Sequence, residues 1–185
     1  MLHMSQINYI FAIIDALQKN KNHIRGLAQL LGTNQTMIAR KVNELYHQNI
    51  VDFKSEGKNK VIFLKKTLEA KQYMYHAELE RLIVILKKYP VLRRIIELIQ
   101  KNKKIRLAIL FGSYAKGLVN RDSDIDIYID TIDKKIKEEV ENIDSKIRVK
   151  IGKYNKESLL IQEIEKNNIV MKGVEVYYEK NKFFD

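Results

Sequence analysis

Apolar positions recur at helical spacing through the first part of the chain and at strand spacing further on. Over residues 5–19, Ile7, Ile10, Phe11, Ile14 and Leu17 fall three or four apart, which predicts an amphipathic helix. Leu27, Ala28 and Leu31 predict a shorter helix from about His23 to Leu31. Gly32 then supplies a tight turn, and Thr33 or Asn34 is placed to cap a third helix that buries Ile38, Val42 and Leu45. The apolar runs Ile50 to Phe53 and Val61 to Leu64 flank a polar loop, Lys54 to Lys60, as the strands of a hairpin would. Residues 67–89 read as one long helix, and Pro90 suits the first turn of the next, which runs to about Lys101. Ile105, Leu107, Ala108, Ile109, Leu110 and Phe111 then form an apolar run that stops at Gly112 and Ser113. Ile125, Ile127 and Ile129 alternate with Asp124 and Asp126, and Ile147, Val149 and Ile151 alternate with Lys146, Arg148 and Lys150 in a strand over 146–154. A helix over 156–166 and a final strand from Gly173 to Tyr178 complete the pattern, with Phe183 and Phe184 docked at the end.

These elements give an α+β organisation in three segments: residues 1–66, a helical connector over 67–104, and residues 105–185. A composition 45% hydrophobic is ample for packed cores, and one Pro with seven Gly leaves no long flexible linker. The absence of Cys excludes disulfides and thiolate metal sites, and His3, His23, His47 and His76 have no ligand spacing. Asn8 and Asp15 interrupt the early apolar residues, and the longest later run, Leu82 to Leu86, is too short to span a bilayer. A cytoplasmic protein with no membrane partner is therefore expected. Charge is divided unevenly. Residues 1–66 hold ten Lys or Arg against four Asp or Glu, residues 67–104 nine against four, and residues 105–185 fifteen of each, so the whole excess of +11 precedes residue 105. Basic charge gathered at one end is the electrostatic footprint of a nucleic-acid-binding module.

The chemistry concentrates between Leu110 and Asp130. Asp124 and Asp126 share one face of a strand, and two carboxylates held so close repel unless a cation sits between them. Magnesium suits such a pair, because it is usually held by one or two carboxylates together with substrate phosphates. Gly112 allows close backbone approach, and Ser113 offers a hydroxyl at the start of a short helix, where phosphate is favoured. A Walker loop is excluded, since Leu118 and Val119 stand where Lys and Ser or Thr are required.

Gly112, Ser113, Ala115, Gly117, Asp122, Ser123, Asp124 and Asp126 together resemble the signature of the minimal nucleotidyltransferases, a branch of the DNA polymerase beta superfamily, over about residues 105–178. The resemblance implies a small mixed sheet with helices on one face. It implies that Gly112 and Ser113 hold the triphosphate tail, with Lys116, Arg121 and Ser123 also binding nucleotide, and that Asp124 and Asp126 are catalytic and hold Mg2+ or Mn2+. The implied reaction moves a nucleoside monophosphate from a nucleoside triphosphate to an acceptor. The family's third carboxylate, on a later strand, is missing: Lys146, Arg148 and Lys150 occupy that face. Either a basic residue pairs with Asp124 or Asp126 and leaves a binder without turnover, or Asp144 or Glu175 supplies the acid. An inactive domain would act as a nucleotide sensor or dimerisation unit in a regulator. An antitoxin-like protein that nucleotidylates a partner protein is a third reading.

The stretch IRGLAQLLGTNQTMIARKVNELYHQNIV resembles the winged helix-turn-helix of bacterial and archaeal transcription regulators, over residues 5–66. Gln35, Thr36, Arg40 and Asn43 lie opposite the buried face of the third helix and suit contacts in a major groove of double-stranded DNA; Lys54, Lys58 and Lys60 in the wing would meet phosphates. Tyr75, Leu79, Leu82 and Leu86 have the spacing of a helix pair between subunits of a homodimer, or of packing on Ile95, Ile96 and Leu98 within one chain.

Overall fold

The structure, a computed structural model, describes residues 8–57 and 59–184. Contacts divide the chain into two units that meet between Glu80 and Arg81.

The first unit contains α1 (Tyr9–Lys19), α2 (Ile24–Leu30), α3 (Gln35–His47), the hairpin strands β1 (Val51–Glu56) and β2 (Asn59–Leu64), and the start of α4 (Leu68–Lys88). Local chemistry sets its turns. The His23 imidazole Nδ1 accepts from the Gly26 amide at 2.7 Å and caps α2; Gly32 adopts φ +61° at the turn; the Asn34 side chain accepts from the Met37 amide at 2.8 Å and caps α3. The hairpin is antiparallel with Val51 opposite Leu64, and Asn22 bridges to Ile62 on its far edge. Order and packing are those of a winged helix-turn-helix. Ile13, Ile14, Leu27, Ile38, Leu45, Ile50, Ile62 and Met74 are fully buried. Ile13, outside the expected stripe, joins Ile14 in the core while Ile10 is only half-buried, so α1 is turned slightly from its predicted face.

The second unit holds the end of α4, α5 (Leu92–Lys101), β3 (Ala108–Phe111), α6 (Gly112–Lys116), β4 (Ile125–Asp130), α7 (Lys134–Glu141), β5 (Ile147–Gly152), α8 (Leu159–Lys166), β6 (Ile169–Lys172) and α9 (Val174–Asn181). Its sheet is mixed, in the order β5-β4-β3-β6: β4 and β5 are parallel, and β3 is antiparallel to both its neighbours. Ala108, Leu110, Ile125, Ile127, Ile129, Ile147 and Val149 share a core with Leu82, Ile85, Ile95, Ile96, Ile136 and Val140 from α4, α5 and α7. Lys172 donates to the carbonyls of Ile99, Gln100 and Asn102, placing a cation at the C-terminus of α5.

One expectation is corrected: the last strand is β6, not Gly173–Tyr178. Ile169, Val170 and Met171 are all buried, so the strand shows no polar alternation, while Gly173 at φ +79° turns the chain into α9, whose Val174, Tyr177 and Tyr178 follow helical spacing. Residues 67–104, read as a helical connector, are shared between the two units, with the boundary inside α4 and α5 packed on β6. Of the stripe read either for subunit pairing or for packing within one chain, Leu82 lies in the core with Ile95 and Ile96 as the second reading has it, whereas Leu79 and Leu98 are exposed. Towards the C-terminal end of β4 the sheet's second face is covered as well. Tyr128 contacts Tyr154, which contacts Tyr177 of α9, and burial holds the Tyr128 and Tyr154 hydroxyls well above the ordinary tyrosine range.

Candidate nucleotide site and nucleic-acid interface

The site lies where β3 ends and β4 begins. Phe111 pairs with Asp126 across the two antiparallel strands, and the next residue, Gly112, sits at φ +68° against the Asp126 carboxylate. A Cβ at Gly112 would overlap Asp126 Oδ2, so only glycine satisfies both the left-handed backbone and the close approach. Ile125, Ile127 and Ile129 are buried beneath, which fixes the register and turns Asp126 to the other face. Burial raises the Asp126 carboxyl above its usual range and the charge of Asp124 raises it further; Lys150 and Arg148 partly offset this. The sign follows for stability: the contribution of Asp126 is fully present below the ordinary carboxylate pKa and is lost as pH rises through the raised one.

Strand β5 supplies the neighbouring wall. Ile147 and Val149 are buried and Lys146, Arg148 and Lys150 exposed, as the alternation predicts. Asp126 pairs with Arg148 in the parallel register, and an Arg148 guanidinium nitrogen lies 3.4 Å from Asp124 Oδ1. Another nitrogen of the same group donates to the Ser145 carbonyl at 2.7 Å. An arginine thus occupies the position at which a third acid is expected. Asp144 accepts from the Lys146 amide and Glu175 is exposed on α9; neither has a described hydrogen bond or ion pair with Asp124 or Asp126.

The intervening loop is held by its own side chains. Ser123 is 7% exposed, and its hydroxyl donates to the Asn120 side chain and accepts from the Asn120 amide. Ser123 therefore braces the loop. Lys116 pairs with Glu163 of α8 at 3.4 Å, and Arg121 is exposed with its carbonyl accepting from Lys146 Nζ at 2.7 Å. Among the described residues no group of three or more His, Asp or Glu side chains is placed to hold a metal ion. A pair such as Asp124 and Asp126 suits one magnesium ion, which is usually held by one or two carboxylates together with phosphates, and a cation there would offset the burial and repulsion that raise Asp126. They do not fit a three-carboxylate set for two metals.

On the first unit, Gln35, Thr36, Arg40 and Asn43 are all exposed on α3. Arg25, Ala28, Gln29, Thr33, Asn34 and Gln35 line an open groove between α2 and α3; Arg25 and Gln29 escaped the sequence reading because α2 carries no signal beyond its apolar face. The wing is less available than its composition suggests. Lys54 pairs with Glu56 at 2.8 Å, Glu56 also binds Lys21, and Lys60 lies 4.1 Å over the Phe53 ring. Lys58 lies outside the described residues.

A glycine turn thus closes on the Asp126 carboxylate, next to Asp124, at the ends of the two central strands of a mixed four-stranded sheet. Residues 93–181 match the family described as polymerase beta, nucleotidyltransferase. Among solved structures, the chain is similar to the crystal structure of the adhesin competence repressor (AdcR) from Streptococcus pyogenes, with 14% identity and a TM-score of 0.35 over 52% of this chain and 81% of that one. No curated protein matches the chain. No helix among the described residues is long and apolar enough to cross a membrane.

Proposed function

We propose that the C-terminal unit binds a nucleoside triphosphate as its magnesium complex and transfers the nucleoside monophosphate to an acceptor hydroxyl, while the N-terminal unit holds double-stranded DNA. The observation that supports the proposal is the closure of Gly112 on Asp126 beside Asp124, which brings a carboxylate pair against a turn of the kind suited to phosphate. Asp124 and Asp126 hold the ion, whose contribution is to neutralise charge on the phosphates; Gly112 and Ser113 receive the terminal phosphates. In the transfer the acceptor oxygen bonds to the α-phosphorus, the bond from that phosphorus to the bridging oxygen breaks, and pyrophosphate leaves with the electron pair. The hydroxyl proton passes to solvent. Such transfers depend mainly on positioning and electrostatics, so the lack of a third acid slows the reaction without forbidding it.

The Arg148–Asp124 contact favours a second reading, a regulator that binds nucleotide without turnover, because a guanidinium does not act as a base and competes with the cation for Asp124. Incubation with α-labelled nucleotides and magnesium, with and without cell extract as acceptor source, separates the two. Transfer predicts label in an acceptor, reduced at least 100-fold by Asp126→Asn. Magnesium-dependent nucleotide binding without label supports the regulator, and absence of such binding overturns both.

A further inference from the structure

The acid missing from β5 is replaced by a cation whose place is fixed. Asp126 stands opposite Arg148 in the parallel register, and buried Ile147 and Val149 hold Arg148 to the same face. The strand itself is pinned from α7, since the Val149 amide donates to Glu141 Oε1 at 2.9 Å. One terminal nitrogen of the Arg148 guanidinium donates to the Ser145 and Ile147 carbonyls at 2.7 and 3.1 Å, and the other lies 3.4 Å from Asp124 Oδ1. Backbone carbonyls therefore hold one arm of the fork while the second faces a carboxylate.

Stability does not account for an arginine here. The Arg148 and Asp124 side chains are 52% and 45% exposed, and an ion pair so open to water adds little to the fold. Its distance exceeds that of a normal hydrogen bond, so the guanidinium borders Asp124 without taking up both its oxygens. What it brings is charge. Two-metal sites place their ions about 3.5–4 Å apart, where together they clamp the attacking and leaving oxygens of an in-line displacement. Three carboxylates with two divalent ions carry the same net charge as two carboxylates with one divalent ion and one guanidinium. Exchanging the third acid for Arg148 thus leaves the site electrically balanced with one ion fewer.

We propose that the Arg148 guanidinium stands in for the second metal ion, so that the site takes a single divalent ion with its nucleotide and Arg148 meets the phosphate beside Asp124; the inference rests on the magnesium-nucleotide reading above. A guanidinium is always charged and offers a fork of donors to phosphate oxygens. In the transfer it accepts no proton and breaks no bond. Its part is electrostatic, a fixed positive charge where negative charge develops.

The test uses the full chain, manganese as the ion, and α,β-methylene analogues of the common nucleoside triphosphates, which bind without transfer. Electron paramagnetic resonance counts bound manganese, and two adjacent ions couple to give a spectrum distinct from that of one. The wild-type chain is expected to bind one uncoupled ion per nucleotide, and Arg148→Asp a coupled pair. Arg148→Ala is expected to hold nucleotide roughly tenfold more weakly at saturating manganese, the effect of losing one charge-assisted contact. Each chain is read below its unfolding temperature, so that a loss is not a folding defect. Three results overturn the inference: a coupled pair in the wild type, no pair in Arg148→Asp, or manganese-nucleotide bound as tightly or more tightly by Arg148→Ala. The last would make Arg148 a bystander or a competitor for Asp124. Failures of the two readings are distinguishable. Nucleotide bound with a single ion but never transferred sinks the proposed transfer and leaves the inference standing, label transfer with a coupled pair in the wild type sinks the inference alone, and absence of manganese-dependent nucleotide binding sinks both.

Discussion

Gly112 is the residue at which backbone geometry and chemistry meet. Its φ of +68° and its contact with Asp126 each exclude a side chain for a separate reason, one torsional and one steric. Gly112→Ala is expected to cost about 1–3 kcal/mol from the left-handed backbone alone, and more if Asp126 cannot move aside. Urea unfolding would measure the loss, and magnesium-dependent nucleotide binding should fall further than stability does, because displaced Asp126 leaves Asp124 without its partner. An alanine variant that binds nucleotide normally would refute the view that the turn and the carboxylate form one site. Glycine and the Asp-x-Asp pair each stand out in the sequence as candidates for a site. Their contact was not, since nothing local to either residue specifies the pairing of Phe111 with Asp126.

At the level of elements, the question is which unit owns α5. The helix was expected within a connector, yet its buried residues Leu92, Ile95, Ile96 and Ile99 belong to the sheet's core, and Lys172 at the end of β6 donates to two carbonyls of its last turn and to that of the capping Asn102. A cation there satisfies orphan acceptors and opposes the helix dipole. Lys172→Met is expected to destabilise the C-terminal unit by about 1–2 kcal/mol, read from urea unfolding. Duplex-DNA binding at a temperature below unfolding should be unchanged. An unaltered unfolding curve would mean that α5 is not anchored through this contact. Helical periodicity identified α5 correctly but not its neighbour, because an amphipathic face states that something covers it and never what.

For the whole molecule, the distribution of charge sets what the proposed duplex-DNA binding predicts. The excess of +11 precedes residue 105, and α3 exposes Arg40 beside Gln35, Thr36 and Asn43. Duplex DNA held through about four phosphates should lose roughly 100-fold in affinity between 50 and 200 mM salt, and Arg40→Ala should reduce the salt slope by about 0.9. Fluorescence anisotropy on a labelled duplex tests both figures; a salt-independent affinity would remove the DNA-binding role. Wing lysines are expected to add little, since Lys54 is already paired with Glu56. The sequence by itself determined the helices of the first unit, the hairpin, the alternation of β4 and β5, and the identity of Asp124 and Asp126, because caps, turns and periodicity act over a few residues. Only tertiary structure decided that the last strand is β6, that α5 joins the sheet, that Ser123 braces a loop and that Arg148 stands beside Asp124. Those outcomes depend on pairings between segments far apart in the chain, where the energy lies in burial and charge contacts that no local pattern encodes.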